Sequence, residues 1–161
     1  MVTDSVPMTA VGYKKLQEEL RNLKNIERPQ VVEAIASARA LGDLSENAEY
    51  HAAKDRQGII EARIAELEGK LSKAKVIDVS KICADTIKFG AIVEIIDDDT
   101  GVLSRYQIVG SDEADVKNGL LPITSPIAKK LIGKAENDIV EVDTPNGVRT
   151  YTVKTIQYAQ V

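Results

Sequence analysis

The sequence predicts an α+β fold in two parts: a long antiparallel α-helical coiled-coil hairpin over residues 1–79 and an antiparallel β domain with a short helix over residues 80–161. Three observations carry this expectation. Up to about residue 80 the chain is rich in the strong helix formers Ala, Leu, Glu, Lys and Arg, with apolar residues at steps of three and four. Beyond that point lie nearly all of the alternating apolar–polar runs and tight-turn signals. A break at Gly42-Asp43 divides the helical part into two arms.

The first arm begins at Thr9, a residue whose side chain suits an N-cap. Leu16, Leu20 and Leu23, then Val31, Ile35 and Ala38, form its apolar stripe. Pro29 falls inside this run and removes a backbone donor, so a kink or register shift is expected there, and the stripe changes phase across it. The second arm reads as a heptad seam through Tyr50, Ala53, Gln57, Ile60, Ile64, Leu67, Leu71 and Ala74. Between the arms, Gly42 can end the first helix and Asp43 or Ser45 can cap the second.

Folding the chain at this turn sets Leu16 opposite Leu71, Leu20 opposite Leu67 and Leu23 opposite Ile64, each pair of numbers summing to 87. Roughly thirty residues per arm, at about 1.5 Å rise, make a hairpin on the order of 45 Å long. Only the seam is buried in such a structure. Lys54, Arg56, Glu61, Arg63, Glu66 and Lys70 then read mainly as a solvated face.

In the second part, Ala91–Ile96 runs as a strand into the turn Asp97-Asp98-Asp99-Thr100-Gly101, and Val102–Val109 returns. Residues 139–142 and 149–156 alternate around Pro145-Asn146-Gly147, and Asn-Gly is a strong hairpin signal. Between the two hairpins, Ser125 can cap a short helix, Pro126 can take its first position and Gly133 can end it.

Composition narrows the function. Hydrophobic residues are 43% and charged residues 29%, enough for a core. Aromatics are 4% with no Trp, a poor endowment for stacking bases. Lys plus Arg number 21 against 25 Asp plus Glu, a net charge of −4, so non-specific duplex binding by phosphate neutralisation is not expected. Cys83 is the single cysteine, which fits a reducing compartment. The sequence shows neither an apolar span nor a signal pattern at its start, so a soluble, cytoplasmic chain without a membrane role is expected.

Asp43 and Glu46 stand three residues apart at the far end of the hairpin. From the residues alone, a capping box on the second helix has the stronger claim, helped by the helix dipole. The roles are compatible, since one oxygen can cap while another binds a cation. Two carboxylates make a poor stand-alone magnesium site but a good half-site, completed by acidic groups and phosphates of another molecule. His51, the only histidine, reads as a partly exposed surface residue. The sequence carries no Ser-His-Asp set, Cys/His ligand cluster or glycine-rich phosphate loop. Asp97-Asp98-Asp99 reads as a solvated turn, lacking the later ligands of a calcium loop.

The run Ala40-Leu41-Gly42-Asp43-Leu44-Ser45-Glu46-Asn47-Ala48-Glu49-Tyr50-His51-Ala52-Ala53-Lys54 closely resembles the tip of the Gre family of bacterial transcript cleavage factors. Ser125-Pro126-Ile127-Ala128 with Leu131-Ile132-Gly133-Lys134 matches a second signature of that family. So do Met8-Thr9, Gly12-Tyr13, Lys15-Leu16 and Arg28-Pro29, and the resemblance runs in order through nearly the whole chain. It implies an N-terminal antiparallel coiled coil and an FKBP-like C-terminal domain. It further implies entry of the coiled coil into the secondary channel of a backtracked RNA polymerase.

There the tip carboxylates, here Asp43 and Glu46, would help hold the second magnesium of the polymerase site and position a water. The polymerase would then cleave the nascent RNA near its 3′ end. By this resemblance the chain is a monomer, is not itself an enzyme, and has no cofactor beyond Mg2+ shared with the polymerase. A basic patch contacting the RNA would include Lys54, with Arg56 and Arg39 adding to it, and a plain solvated face is an equal alternative. Docking on the polymerase rim would use Thr124, Ser125 and Pro126, although the capping chemistry of Ser125 exists regardless. Two other functions stand beside this one. A prolyl isomerase would need an aromatic-lined pocket, for which the domain offers Phe89, Tyr106, Tyr151 and Tyr158. A channel-binding relative could inhibit the polymerase, but the intact Asp43-Leu44-Ser45-Glu46 tip favours stimulated cleavage.

Overall fold

Two compact units make up the computed structural model, which describes residues 5–44, 46–79 and 84–158. The fold is mixed α+β. One unit is the helical segment Lys14–Lys73. The other combines residues 5–13 with the chain from Ala74 onward, so the first strand and the first helical turn belong with the sheet.

The helical unit follows from its seam. Helix α1 spans Ala10–Asn22, a π-helical turn covers Leu23–Glu27, α2 spans Arg28–Arg39, and α3 spans Ala48–Lys73. Ala53, Ile60, Ile64 and Leu67 are buried along α3, while Gln57 and Leu71 are half-buried. On the facing arm Leu16, Leu23, Val31, Ile35 and Ala38 are buried. The step from Leu23 to Val31 is one residue longer than a heptad, and the π turn absorbs that extra residue. Pro29 explains its place: with no N–H it cannot bond the carbonyl four residues back, and its ring crowds that carbonyl. The Arg28 amide bonds the Leu23 carbonyl five residues back, so the expected register shift takes the form of a π turn just before the proline.

Ion pairs run between the arms. Arg63 Nε and Nη2 reach the Glu19 carboxylate at 2.5 and 2.9 Å, and Arg28 reaches both oxygens of Glu61 at 2.7 Å. Lys24 meets Glu68 at 3.2 Å and Arg56 meets Glu27 at 3.9 Å. These contacts require the arms to run antiparallel, and their residue numbers sum to values on either side of 87.

Hydrogen bonds from Arg63 hold Glu19 below the usual carboxylate range, and Arg28 does the same for Glu61. Glu66 is lowered by Lys70 first and Arg63 second. A depressed folded-state pKa adds stability that is present above the ordinary value of 4.5 and is lost as pH falls through the lowered one. The melting temperature of the helical signal should therefore fall as pH drops from about 5 towards about 3. Arg63→Gln should reduce that fall, as followed by circular dichroism. An unchanged pH dependence in the variant would count against these pairs.

In the other unit, β3 (Ala91–Asp97), β4 (Leu103–Val109), β6 (Ile139–Thr144) and β7 (Gly147–Tyr158) match the two expected hairpins. They join with β5 (Leu120–Pro122) in one sheet of order β5-β4-β3-β7-β6. Strict alternation of burial along β3 turns Ala91, Val93 and Ile95 into a core with Ile87, Ile108, Leu121, Val140 and Val153. Helix α4 (Pro126–Leu131) closes this core with Ala128 and Leu131.

Three strands were not anticipated. β5 pairs parallel to β4, so the sheet is not wholly antiparallel. β1 (Val6–Thr9) and β2 (Ala74–Ile77) form a separate parallel pair, Val6 beside Ala74. The triple-Asp turn is also more than a solvated loop. Asp97 is buried, accepts from the amides of Asp99 and Thr100, and meets Arg149 at 3.2 Å, while Thr152 donates to Asp98.

Thr9 caps α1 as expected, its hydroxyl accepting from the Gly12 amide at 3.0 Å. A capping box would place Glu at the third helical position, which here is Gly12. Glu113 takes over that task from the sheet unit. Its carboxylate accepts from the Thr9 amide at 2.7 Å, from the Thr9 hydroxyl, and from the Gly110 amide at 3.1 Å. A Cβ on Gly12 would stand 2.2 Å from Glu113 Oε1, so the missing side chain leaves room for this cap.

Candidate functional site

The tip between α2 and α3 carries the strongest candidates. Helix α2 ends at Arg39, and the Leu41 and Gly42 amides continue its bonding to Ala38 and Arg39 carbonyls. Gly42 then adopts φ +114°, a conformation that L side chains rarely take, which lets the chain turn. Asp43 and Glu46 are exposed and line one open hollow with Leu41, Asn47, Ala48 and Glu49.

The cap on α3 corrects the expectation from sequence. Asn47 is the capping residue: its Oδ1 accepts from the Tyr50 amide at 3.0 Å, and its backbone carbonyl accepts from His51. Asp43 and Glu46 both precede the helix and do not sit on its first turn. Ser45, the other proposed cap, lies outside the described residues. Asn47 was hidden by two better-known cap residues in the preceding loop, yet Asn directly before Ala48-Glu49-Tyr50 is a regular start signal.

As magnesium ligands, two exposed carboxylates fit part of an octahedral oxygen shell and leave the rest to other groups. Among the described residues no three acidic, His or Cys side chains cluster as a metal site. The donor set suits a shared ion.

Of the basic residues, Arg39 stacks over the Tyr50 ring with its guanidinium carbon 5.8 Å from the centroid. Lys54 lies one turn beyond Tyr50 and donates to Gln57 at 3.2 Å. These two share a side of the tip. Arg56 does not join them, because residues two apart on a helix face opposite ways, and it turns instead to Glu27. His51 is exposed, its ring edge-on to Tyr50 at 5.6 Å.

In the sheet unit, the Ser125 side chain accepts from the Ala128 amide at 3.2 Å, Pro126 opens α4, and Gly133 follows the helix end. Thr124 and Pro126 are exposed and Ser125 is half-buried. Tyr106, Tyr151 and Tyr158 pack against the core, and the Tyr158 hydroxyl donates to the Thr86 carbonyl at 2.6 Å. These tyrosines serve the fold. Among the described residues no helix is long and apolar enough to cross a membrane.

The chain thus combines a helical unit with two exposed carboxylates at its turn and a unit built on a five-stranded sheet. Comparison with known proteins identifies the family. The family description "Transcription elongation factor, N-terminal" matches residues 6–76, and "Transcription elongation factor, GreA/GreB, C-term" matches residues 82–158. Relatives described as transcription elongation factor GreA include one from Phenylobacterium zucineum, 59% identical over 96% of this chain and 99% of that protein. Another, from Caulobacter vibrioides, is 54% identical over the same shares. A crystal structure of GreA factor homolog 1 from Thermus thermophilus is 28% identical, covers 95% of this chain and 99% of its own, and has a TM-score of 0.44. The chain belongs to the GreA/GreB family of transcription elongation factors.

Proposed function

We propose that this chain enters the secondary channel of a backtracked RNA polymerase and stimulates cleavage of the nascent RNA 3′ end. The observation that carries the proposal is the tip itself: Asn47 caps α3, and Asp43 and Glu46 stand exposed together in the loop before it. Family membership supplies the polymerase as partner. In this reading residues 14–73 act as a coiled-coil hairpin, and the unit holding α4 acts as an FKBP-like docking domain on the channel rim. The division at Lys14 and at Ala74 then separates reach from attachment.

Asp43 and Glu46 contribute anionic oxygens to a magnesium shared with the polymerase. Such a metal, when bound, lowers the pKa of water and offsets charge on the cleaved phosphate. The chain's own part is to bring the two carboxylates to the site and hold them there. Arg39 and Lys54, on one side of the tip, contact the displaced RNA, with Arg56 further down the arm. Thr124 and Pro126 touch the polymerase rim while Ser125 fixes the turn between them. The chain acts as a monomer, and the hydrolytic step belongs to the polymerase. The test is to add the protein to stalled, backtracked polymerase and follow RNA length. Unshortened RNA at saturating protein would reject the reading.

A further inference from the structure

We propose that Asn47 is a positioning residue, clamping the tip loop so that Asp43 and Glu46 are held ready for use. This rests on the reading of the tip given above. The loop's apolar side chains point outward, Leu41 being 67% and Leu44 41% exposed, so burial does not anchor it. Asn47 is half-buried and spans the two helix ends with a single amide. Its Oδ1 accepts from the Tyr50 amide at 3.0 Å on α3, and its Nδ2 donates to the Ala38 carbonyl at 2.6 Å on the last turn of α2.

The second bond is the informative one. Capping α3 requires only an acceptor, which Ser, Thr or Asp would provide equally well. Asn alone among these carries acceptor and donor on one rigid plane, and the structure uses both. The amide thereby ties the loop shut at its base, with Glu46 the residue immediately before it. Groups that act on a shared reaction centre must be held to within about 0.5 Å, and a misplacement of about 1 Å can cost about a hundredfold in rate.

The test is Asn47→Ser in the full-length protein. Ser keeps the cap but lacks the Nδ2 group that reaches the Ala38 carbonyl. The rate of RNA shortening at saturating protein should fall about tenfold or more, with the half-saturating concentration and the melting temperature unchanged. In hydrogen exchange, amides of residues 41–44 should exchange faster while Tyr50 stays protected. A wild-type saturating rate in the variant overturns the proposal. So does a rate loss accompanied by weaker binding or a lower melting temperature, which would mark Asn47 as a cap alone. If the wild-type protein itself fails to shorten RNA, the functional reading falls. Exchange then decides the clamp: unchanged loop amides overturn it and faster ones support it.

Discussion

Asp43→Asn should abolish most stimulated RNA cleavage while leaving the fold and polymerase binding intact. The amide is nearly the same size as the carboxylate, and Asp43 is exposed at a loop position outside the α3 cap. Asn keeps a hydrogen-bonding oxygen in the same place, and neutralising a charge near a helix N-terminus costs about 0.3–1 kcal/mol, so the melting curve should move little. A neutral amide oxygen is a much weaker ligand than a carboxylate for a hard dication. The expected loss in cleavage rate is about a hundredfold, and Glu46→Gln should behave alike. Raising magnesium should restore part of the activity if ion recruitment is the defect. Near wild-type cleavage by both variants would leave the tip without its proposed role.

Gly110→Ala should be strongly destabilising. A Cβ there would lie 2.0 Å from the Pro7 carbonyl oxygen, a backbone atom of β1 that cannot swing aside. The same Cβ would stand 3.0 Å from Glu113 Oε2, the atom that accepts from the Thr9 and Gly110 amides. Relief requires β1 to lift, which exposes Met8, now fully buried, and strips the Thr9 cap of its carboxylate. Overpacking of this kind costs about 3 kcal/mol, or roughly ten degrees in melting temperature for a chain of this size. Gly12→Ala should cost less, because the atoms it meets belong to the Glu113 side chain. Equal melting temperatures for Gly110→Ala and wild type would mean that β1 does not sit against this turn.

Much of this architecture was legible because it is written in local periodicity. The α3 seam, the Ser125-Pro126 start and Gly133 stop of α4, the two long hairpins and the Thr9 cap each depend on residues a few positions apart. What escaped depends on distance. β1 is four residues with a proline and no alternation, and its partner Ala74 directly follows a long helix, so neither half announces a strand. β5 is three residues ending in Pro122. Glu113 looks like an ordinary loop acid until Thr9 is placed beside it. At the tip the two carboxylates were visible, but their relation to the helix was not. Asp43, Ser45 and Asn47 are all competent caps, and only the path of the loop selects Asn47. The π turn was half legible, since Pro29 marked a disturbance without specifying its form.

The Thr9–Glu113 contact spans 104 residues, and this orders events while the chain is being made. The helix pair of residues 14–73 relies on contacts within its own segment and can close early, as local structure does. The first turn of α1 cannot receive its carboxylate until Glu113 has emerged and β4 has brought Gly110 to Pro7. A nascent chain halted short of that point would hold a finished arm on an unfinished root, with the Thr9 amide still waiting for its acceptor.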